Sequence, residues 1–186
     1  MLLCCTVPER GKRVLRIDLT HADTEPQEFD ERPVVPPAAG GVDVVSVAPV
    51  ELSGRVERAG KGYLLEGRVA GSARLRCGRC LAEFEFAFAE PMELHLLPAA
   101  AAPQDDETRL GRNDLEVRFF EEPFVDLAEL AAEQFALAVP MKPLCAETCR
   151  GICPRCGANL NLGACSCPPQ STDDRFTPLA GWRPNE

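Results

Sequence analysis

Six of the ten cysteines in this chain fall between residues 145 and 167: Cys145, Cys149, Cys153, Cys156, Cys165 and Cys167. Thiols at that density call for a metal or for disulfides, and either choice ties distant parts of the chain together. Cys153-Pro154-Arg155-Cys156 is one close pair, and Cys165-Ser166-Cys167 follows after eight residues. Two such turns can face each other across one tetrahedral ion. Cys145 and Cys149 then need partners from elsewhere. The other close pair in their reach is Cys77-Gly78-Arg79-Cys80, about seventy residues upstream. Eight thiols thereby divide into two expected sites, Cys77, Cys80, Cys145, Cys149 and Cys153, Cys156, Cys165, Cys167.

Disulfides and plain buried thiols are the competing readings. The apolar start, Met1-Leu2-Leu3-Cys4-Cys5-Thr6-Val7, has no basic leader and is shorter than a signal-peptide core. The expectation is therefore a cytoplasmic chain, where closely spaced cysteines favour metal over bridges. A thioredoxin-like C-x-x-C belongs at the start of a helix in a βαβ unit, and neither pair has that context. Two structural Zn2+ ions are expected, with no role for Cys4 or Cys5.

The rest of the chain must supply what the cysteines staple. At 186 residues and 45% hydrophobic content it is long enough for one real core and a metal-held appendage. No apolar run reaches the roughly 20 residues of a membrane helix. The formal charge is −9, and two four-thiolate zinc sites would deepen it. Residues 54–80 nevertheless hold seven basic and two acidic side chains, and residues 82–135 fourteen acidic and three basic. Such a split can present RNA-binding and protein-binding faces, or simply two solvated strand faces that neutralise one another.

Alternation places the strands. A short strand is expected over residues 13–19, and the prolines at 26, 33, 36 and 37 argue for loop over residues 20–41. From Val50 and Leu52 through Leu65, Val69 and Leu75, apolar residues alternate with polar ones, and they do so again from Phe84 to Leu96. The turn at Cys77 to Cys80 then becomes the tip of a long hairpin, with Arg68, Arg74 and Arg76 expected opposite Glu85 and Glu93. Residues 98–107 read as a flexible connection and 115–119 as a last short strand. Asp126 is placed to cap a helix over 126–138, with Glu129 at its third position, Val125 able to staple onto Leu130, and Pro140 as its stop. Leu127, Leu130, Ala131 and Phe135 would share its buried face. The expected fold class is α+β, a mainly antiparallel β-sheet with one or two helices and a C-terminal zinc knuckle. Its parts are an N-terminal strand and proline-rich loop (1–41), a sheet core (42–140) and a cysteine-rich segment (141–186).

No enzyme signature emerges. His21 and His95 lack the His-x-Glu spacing of zinc deaminases, and there is no phosphate-binding glycine loop, nucleophile elbow or His-Glu-x-x-His. His21 and His95 read as surface residues. A zinc held by four cysteines keeps no open position for water, so the ions are expected to be structural.

The hairpin tip C-x-R-C-L, the acidic strand-then-helix passage ending in Leu144-Cys145, and the run Cys149-Arg150-Gly151-Ile152-Cys153-Pro154-Arg155-Cys156-Gly157-Ala158-Asn159-Leu160-Asn161 together resemble the YceD family of large ribosomal RNA subunit accumulation proteins. The tail, Asp173-Asp174-Arg175 onward, fits that family in part. The resemblance implies a role in accumulation or processing of large-subunit rRNA, hence a non-enzymatic ribosome-assembly factor. Its partner would be large-subunit rRNA or a basic ribosome-associated protein, with no membrane and no small-molecule substrate. Arg68, Arg74, Arg76, Arg79, Arg150 and Arg155 are the candidate RNA contacts. Two other functions compete: an acidic escort for a basic ribosomal protein or nuclease, and a redox or zinc-sensing regulator.

Overall fold

A computed structural model of the chain describes residues 15–102, 117–168 and 175. Its backbone is organised by one long hairpin. β5 (Gly62–Arg76) and β6 (Glu83–Pro98) pair antiparallel from Tyr63 opposite Leu96 to Arg76 opposite Glu83. The alternation in the sequence becomes the packing. Leu65, Val69, Ala73 and Leu75 point into the core with Phe88, Met92 and Leu96, while Arg68, Arg74 and Arg76 stand exposed on the other face.

Two strands share the far edge of β5. β4 (Glu51–Ala59) pairs with its first half and β3 (Val44–Val47) with its second, with a register shift between Val44 and Ser46. Gly54 lies opposite Gly67, and a Cβ on Gly67 would come within 2.5 Å of the Ser53 carbonyl oxygen. Glycine at this crossing is a steric requirement.

The loop expected over residues 20–41 is corrected in part. It contains β2 (Gln27–Glu31), which pairs antiparallel with β4 and buries Phe29, together with short 3-10 turns at Leu19–Asp23 and Pro37–Gly40. Pro26 and Pro33 fall just outside the strand, where no ladder hydrogen bond is lost. β1 (Arg16–Asp18) is the remnant of the strand expected over 13–19, residues 13 and 14 lying outside the described residues.

β7 (Val117–Phe120) continues the strand expected over 115–119, whose first two residues also lie outside the described ones. It runs parallel to β6, His95 facing Val117, and the sheet order is β2-β4-β5-β6-β7 with β3 beside β5. β8 (Phe124–Asp126) pairs with β1 in a separate two-stranded ladder.

α1 (Leu127–Ala138) begins where its cap predicts. The Asp126 carboxylate accepts from the backbone N–H of Ala128 at 2.9 Å and of Glu129 at 3.2 Å. Leu127, Leu130, Ala131 and Phe135 are buried, and the Phe135 ring sits 5.4 Å from that of Phe88. On the exposed side Arg118 reaches Glu133 at 2.7 Å and Glu129 at 3.1 Å, fastening β7 to the helix. The result is an α+β fold of mostly antiparallel sheet and one α-helix among the described residues. That helix is not long and apolar enough to cross a membrane. It ends at Val139 and returns the chain to the hairpin tip.

Candidate metal centres

The β5–β6 hairpin ends in a turn held by its own backbone. Cys77 donates its N–H to the Ala82 carbonyl at 2.9 Å, and Leu81 donates back to the Cys77 carbonyl at 2.9 Å. The Arg79 N–H is directed at the Cys77 sulfur at 3.5 Å. Leu81 adopts φ 60°, a left-handed conformation uncommon outside glycine. The turn points both thiols to one side.

The segment after α1 closes over that tip. Gly78 donates to the Pro143 carbonyl at 2.8 Å, and one guanidinium nitrogen of Arg79 donates to the carbonyls of Glu147 and Cys149, both at 3.1 Å. Gly151, at φ 75°, presses against the Arg79 backbone, where a Cβ would lie 3.1 Å from the carbonyl oxygen. These contacts carry Cys145 and Cys149 onto the knuckle. The sulfurs of Cys77 and Cys149 are 3.8 Å apart and those of Cys80 and Cys145 3.6 Å. Sulfurs at about 2.3 Å from a central tetrahedral ion sit roughly 3.8 Å from one another, so the spacing suits a bound cation and far exceeds a disulfide bond.

A second knuckle repeats the first. Cys153 donates to the Ala158 carbonyl at 2.8 Å, and Gly157 donates back to the Cys153 carbonyl at 2.9 Å, with Gly157 at φ 73°. An isolated bridge between Ile152 and Asn159 closes the turn. Cys165 and Cys167 come across to meet it. In each group, Cys77, Cys80, Cys145, Cys149 and Cys153, Cys156, Cys165, Cys167, the four sulfurs lie within 4.8 Å of one another, and either group could hold a metal ion. All eight are free thiols. Cys4 and Cys5 lie outside the described residues.

The protons are unevenly shared. Burial opposes ionisation of Cys77, yet backbone N–H groups from Cys145, Cys80 and Arg79 outweigh it and bring the thiol down to about 6. Cys153 is likewise drawn down to about 6, by the N–H groups of Cys156 and Arg155. Donating to Cys80 pushes Cys145 up to about 12, and donating to Cys156 pushes Cys167 up to about 12. Cys149 is lowered first by the side chain of Asn161, whose amide nitrogen lies 3.4 Å from its sulfur. Thiolates that already accept backbone hydrogen bonds, closed into sets of four soft donors, are the chemistry that zinc and its neighbours select.

The arginines separate into used and unused. Arg55 is taken by Glu66 at 2.8 Å and Arg58 by Asp23 at 2.8 Å. Arg79 is spent on the knuckle, and Arg68, Arg74, Arg76, Arg150 and Arg155 are exposed with no ion pair among the described residues. Register sets Arg74 opposite Glu85, as expected, but Arg68 faces Pro91, Arg76 faces Glu83, and Glu93 faces Glu66. The contact of the Asn161 side chain with the Cys149 sulfur is absent from the expectations above; the C-x-x-C-G-x-N-x-N spacing is the signal that could have pointed to it. His21 is exposed and His95 half-buried, and neither approaches a cysteine group.

A family model described as "Large ribosomal RNA subunit accumulation protein YceD" matches residues 65–181, a span that contains all eight clustered cysteines. The chain belongs to the YceD family. An uncharacterized protein of Mycobacterium tuberculosis is 30% identical over 129 residues, 67% of this chain and 59% of that protein. A Mycobacterium leprae protein, also uncharacterized, is 26% identical over 64% of this chain and 54% of its own length. The chloroplastic "Large ribosomal RNA subunit accumulation protein YCED homolog 1" of Arabidopsis thaliana is 30% identical over 59 residues, 32% of this chain and 18% of that protein. The chain thus spans little more than half the length of its mycobacterial relatives. No solved structure matches it significantly.

Proposed function

We propose that this chain is a non-catalytic, zinc-stapled factor that binds large-subunit rRNA during ribosome assembly. Membership of a family named for large ribosomal RNA subunit accumulation carries the reading. Cys77, Cys80, Cys145, Cys149 form one zinc site and Cys153, Cys156, Cys165, Cys167 the other. Four thiolates close the coordination shell of each ion, so bound zinc supplies folding free energy, roughly 10–16 kcal/mol in small zinc domains, and no water activation.

Phosphate is met by Arg68, Arg74 and Arg76 on the uncovered sheet face and by Arg150 and Arg155 on the cysteine loops. Free guanidinium groups suit phosphate oxygens, and Arg79 contributes by holding its knuckle in place. Four to six such contacts imply a loss of roughly 10²–10³ in affinity between about 50 and 200 mM salt. The test is a titration with a large-subunit rRNA precursor fragment at both salts. Removing Arg68, Arg150 and Arg155 together should weaken binding and flatten the salt dependence; binding that ignores both changes defeats the RNA reading.

A specific concavity favours a second reading, an adaptor for a basic protein. A hollow of about 250 Å³ is lined by Phe119, Phe120, Phe124, Glu121, Glu122 and their neighbours. Arg118 already occupies Glu129 and Glu133, so Glu121 and Glu122 carry the free charge. Reversing both to lysine should abolish a complex with a basic ribosomal protein, and an unchanged complex ends this alternative.

A further inference from the structure

We propose that the second cysteine group sets the metal affinity of the first through Asn161, which belongs to the loop of one group and touches a sulfur of the other. The inference rests on reading both groups as metal sites. Asn161 lies in the eight-residue loop between Cys156 and Cys165, yet its amide nitrogen donates to the Cys149 sulfur at 3.4 Å. Its amide oxygen meanwhile accepts from the backbone N–H of Arg150 at 2.8 Å. Both contacts fall on the first group's last ligand and the residue after it.

Asn161 is held there by the second knuckle. The Asn159 side-chain oxygen accepts from the Asn161 backbone N–H at 2.9 Å and from its side-chain nitrogen at 2.8 Å. Asn159 itself is bridged to Ile152, and Leu160 donates to the Gly151 carbonyl at 2.9 Å. Among the described residues, these strands of contact depend on a loop without helix or strand of its own, whose two ends are Cys156 and Cys165. Closing those ends on one ion fixes the loop, and a fixed loop presents the Asn161 amide to Cys149 at no further ordering cost. Loss of the second ion frees the loop, and the first group then keeps its four ligands without the donor that orients and stabilises one of them. Hydrogen bonds from such outer partners are worth roughly 10–100-fold in metal affinity. Asn161 is accordingly a positioning residue and the coupling runs both ways, since linkage between two binding sites is reciprocal.

Cobalt(II) titration of the reduced full-length chain, followed by its thiolate charge-transfer absorption and by zinc competition, reads this coupling. The C77S/C149S chain reports the second site alone, and the C153S/C165S chain the first. Against the intact protein, C153S/C165S should bind its single cobalt at least roughly tenfold more weakly at the first site. N161D, which keeps the oxygen acceptor but deletes the donor, should weaken the first site by a similar factor when the second is filled, while the second site read alone in the C77S/C149S chain keeps its affinity. Combined with C153S/C165S, N161D should add little, because the same contact is already lost. N159D reproduces the single oxygen that Asn159 uses and should leave both affinities unchanged, a result that general disruption of the loop would not give. Two sites that bind independently, or effects of N161D and C153S/C165S that add in full, overturn the coupling while sparing the metal sites. An intact chain that takes up no cobalt overturns both.

Discussion

Leu81 and Gly157 occupy the same place in two knuckles that repeat one another, each five residues into C-x-x-C-x-Ala and each in the left-handed region, at φ 60° and 73°. Both donate backward to the carbonyl of the first cysteine. One knuckle meets the requirement with glycine and the other with a strained, exposed leucine.

This equivalence predicts opposite responses to substitution. A Cβ at Gly157 meets nothing within 4 Å, so the cost of Gly157→Ala is conformational alone. A left-handed residue with a Cβ costs roughly 1–2 kcal/mol, which should weaken metal binding at the second group about tenfold. Leu81→Gly removes that strain but adds unfolded-state freedom worth about 0.5–1 kcal/mol, so the first group should stay within about 1 kcal/mol of its starting affinity. Zinc competition on the two variants checks both; a harmless Gly157→Ala would mean that the turn does not govern ligation.

Metal uptake should release protons in a number set by the thiols. In the metal-free first group Cys145 is raised to about 12 and Cys80 is also raised, so both are protonated near neutrality. A metal binds thiolates, so at least two protons must leave per ion, and affinity falls at least roughly a hundredfold for each unit of acidification. The sign for Cys77 is the reverse of theirs. Its value of about 6 lies below the ordinary thiol value of about 8.5, so it favours the folded chain above 8.5 and that contribution fades as pH drops through 6. Calorimetry of the C153S/C165S chain in buffers of differing ionisation heat counts the protons, and fewer than two would contradict these assignments.

The helix cap is separable from the metal. Asp126→Ala removes both acceptor contacts to Ala128 and Glu129 and should cost about 1 kcal/mol in urea unfolding, with both metal affinities retained. Loss of metal in this variant would show that α1 positions the cysteine segment more directly than its contacts suggest.

The buried seam between helix and sheet should be far more sensitive. Phe135 is fully buried against Phe88, and a Cβ on Gly40 would come within 2.6 Å of its ring. Phe135→Ala should therefore cost roughly 3–5 kcal/mol. A loss below about 1 kcal/mol would place the core elsewhere.

Elements whose signals are local and redundant were legible in the sequence. Asp126, Glu129 and Pro140 bracket α1 independently of anything it packs on. The β5–β6 hairpin declares itself through long alternation on both sides of one turn, and that turn brings Cys77 and Cys80 within reach of Cys145 and Cys149. What escaped was relational. β2 is five residues between prolines with one partner strand, so nothing local distinguishes it from loop. Alternation carries no direction, which hides the parallel pairing of β7 on β6. It also fixes faces without fixing register, which is why Arg68 meets Pro91 and Glu93 meets Glu66. The Asn161 contact with Cys149 joins two groups that spacing treats as separate.

Native mass spectrometry of the full chain, purified under reducing conditions, tests the two-site account most directly. The account predicts two zinc ions per chain, with one lost in C77S/C149S and the other in C153S/C165S. A chain that carries no zinc and joins these cysteines in disulfides would contradict it.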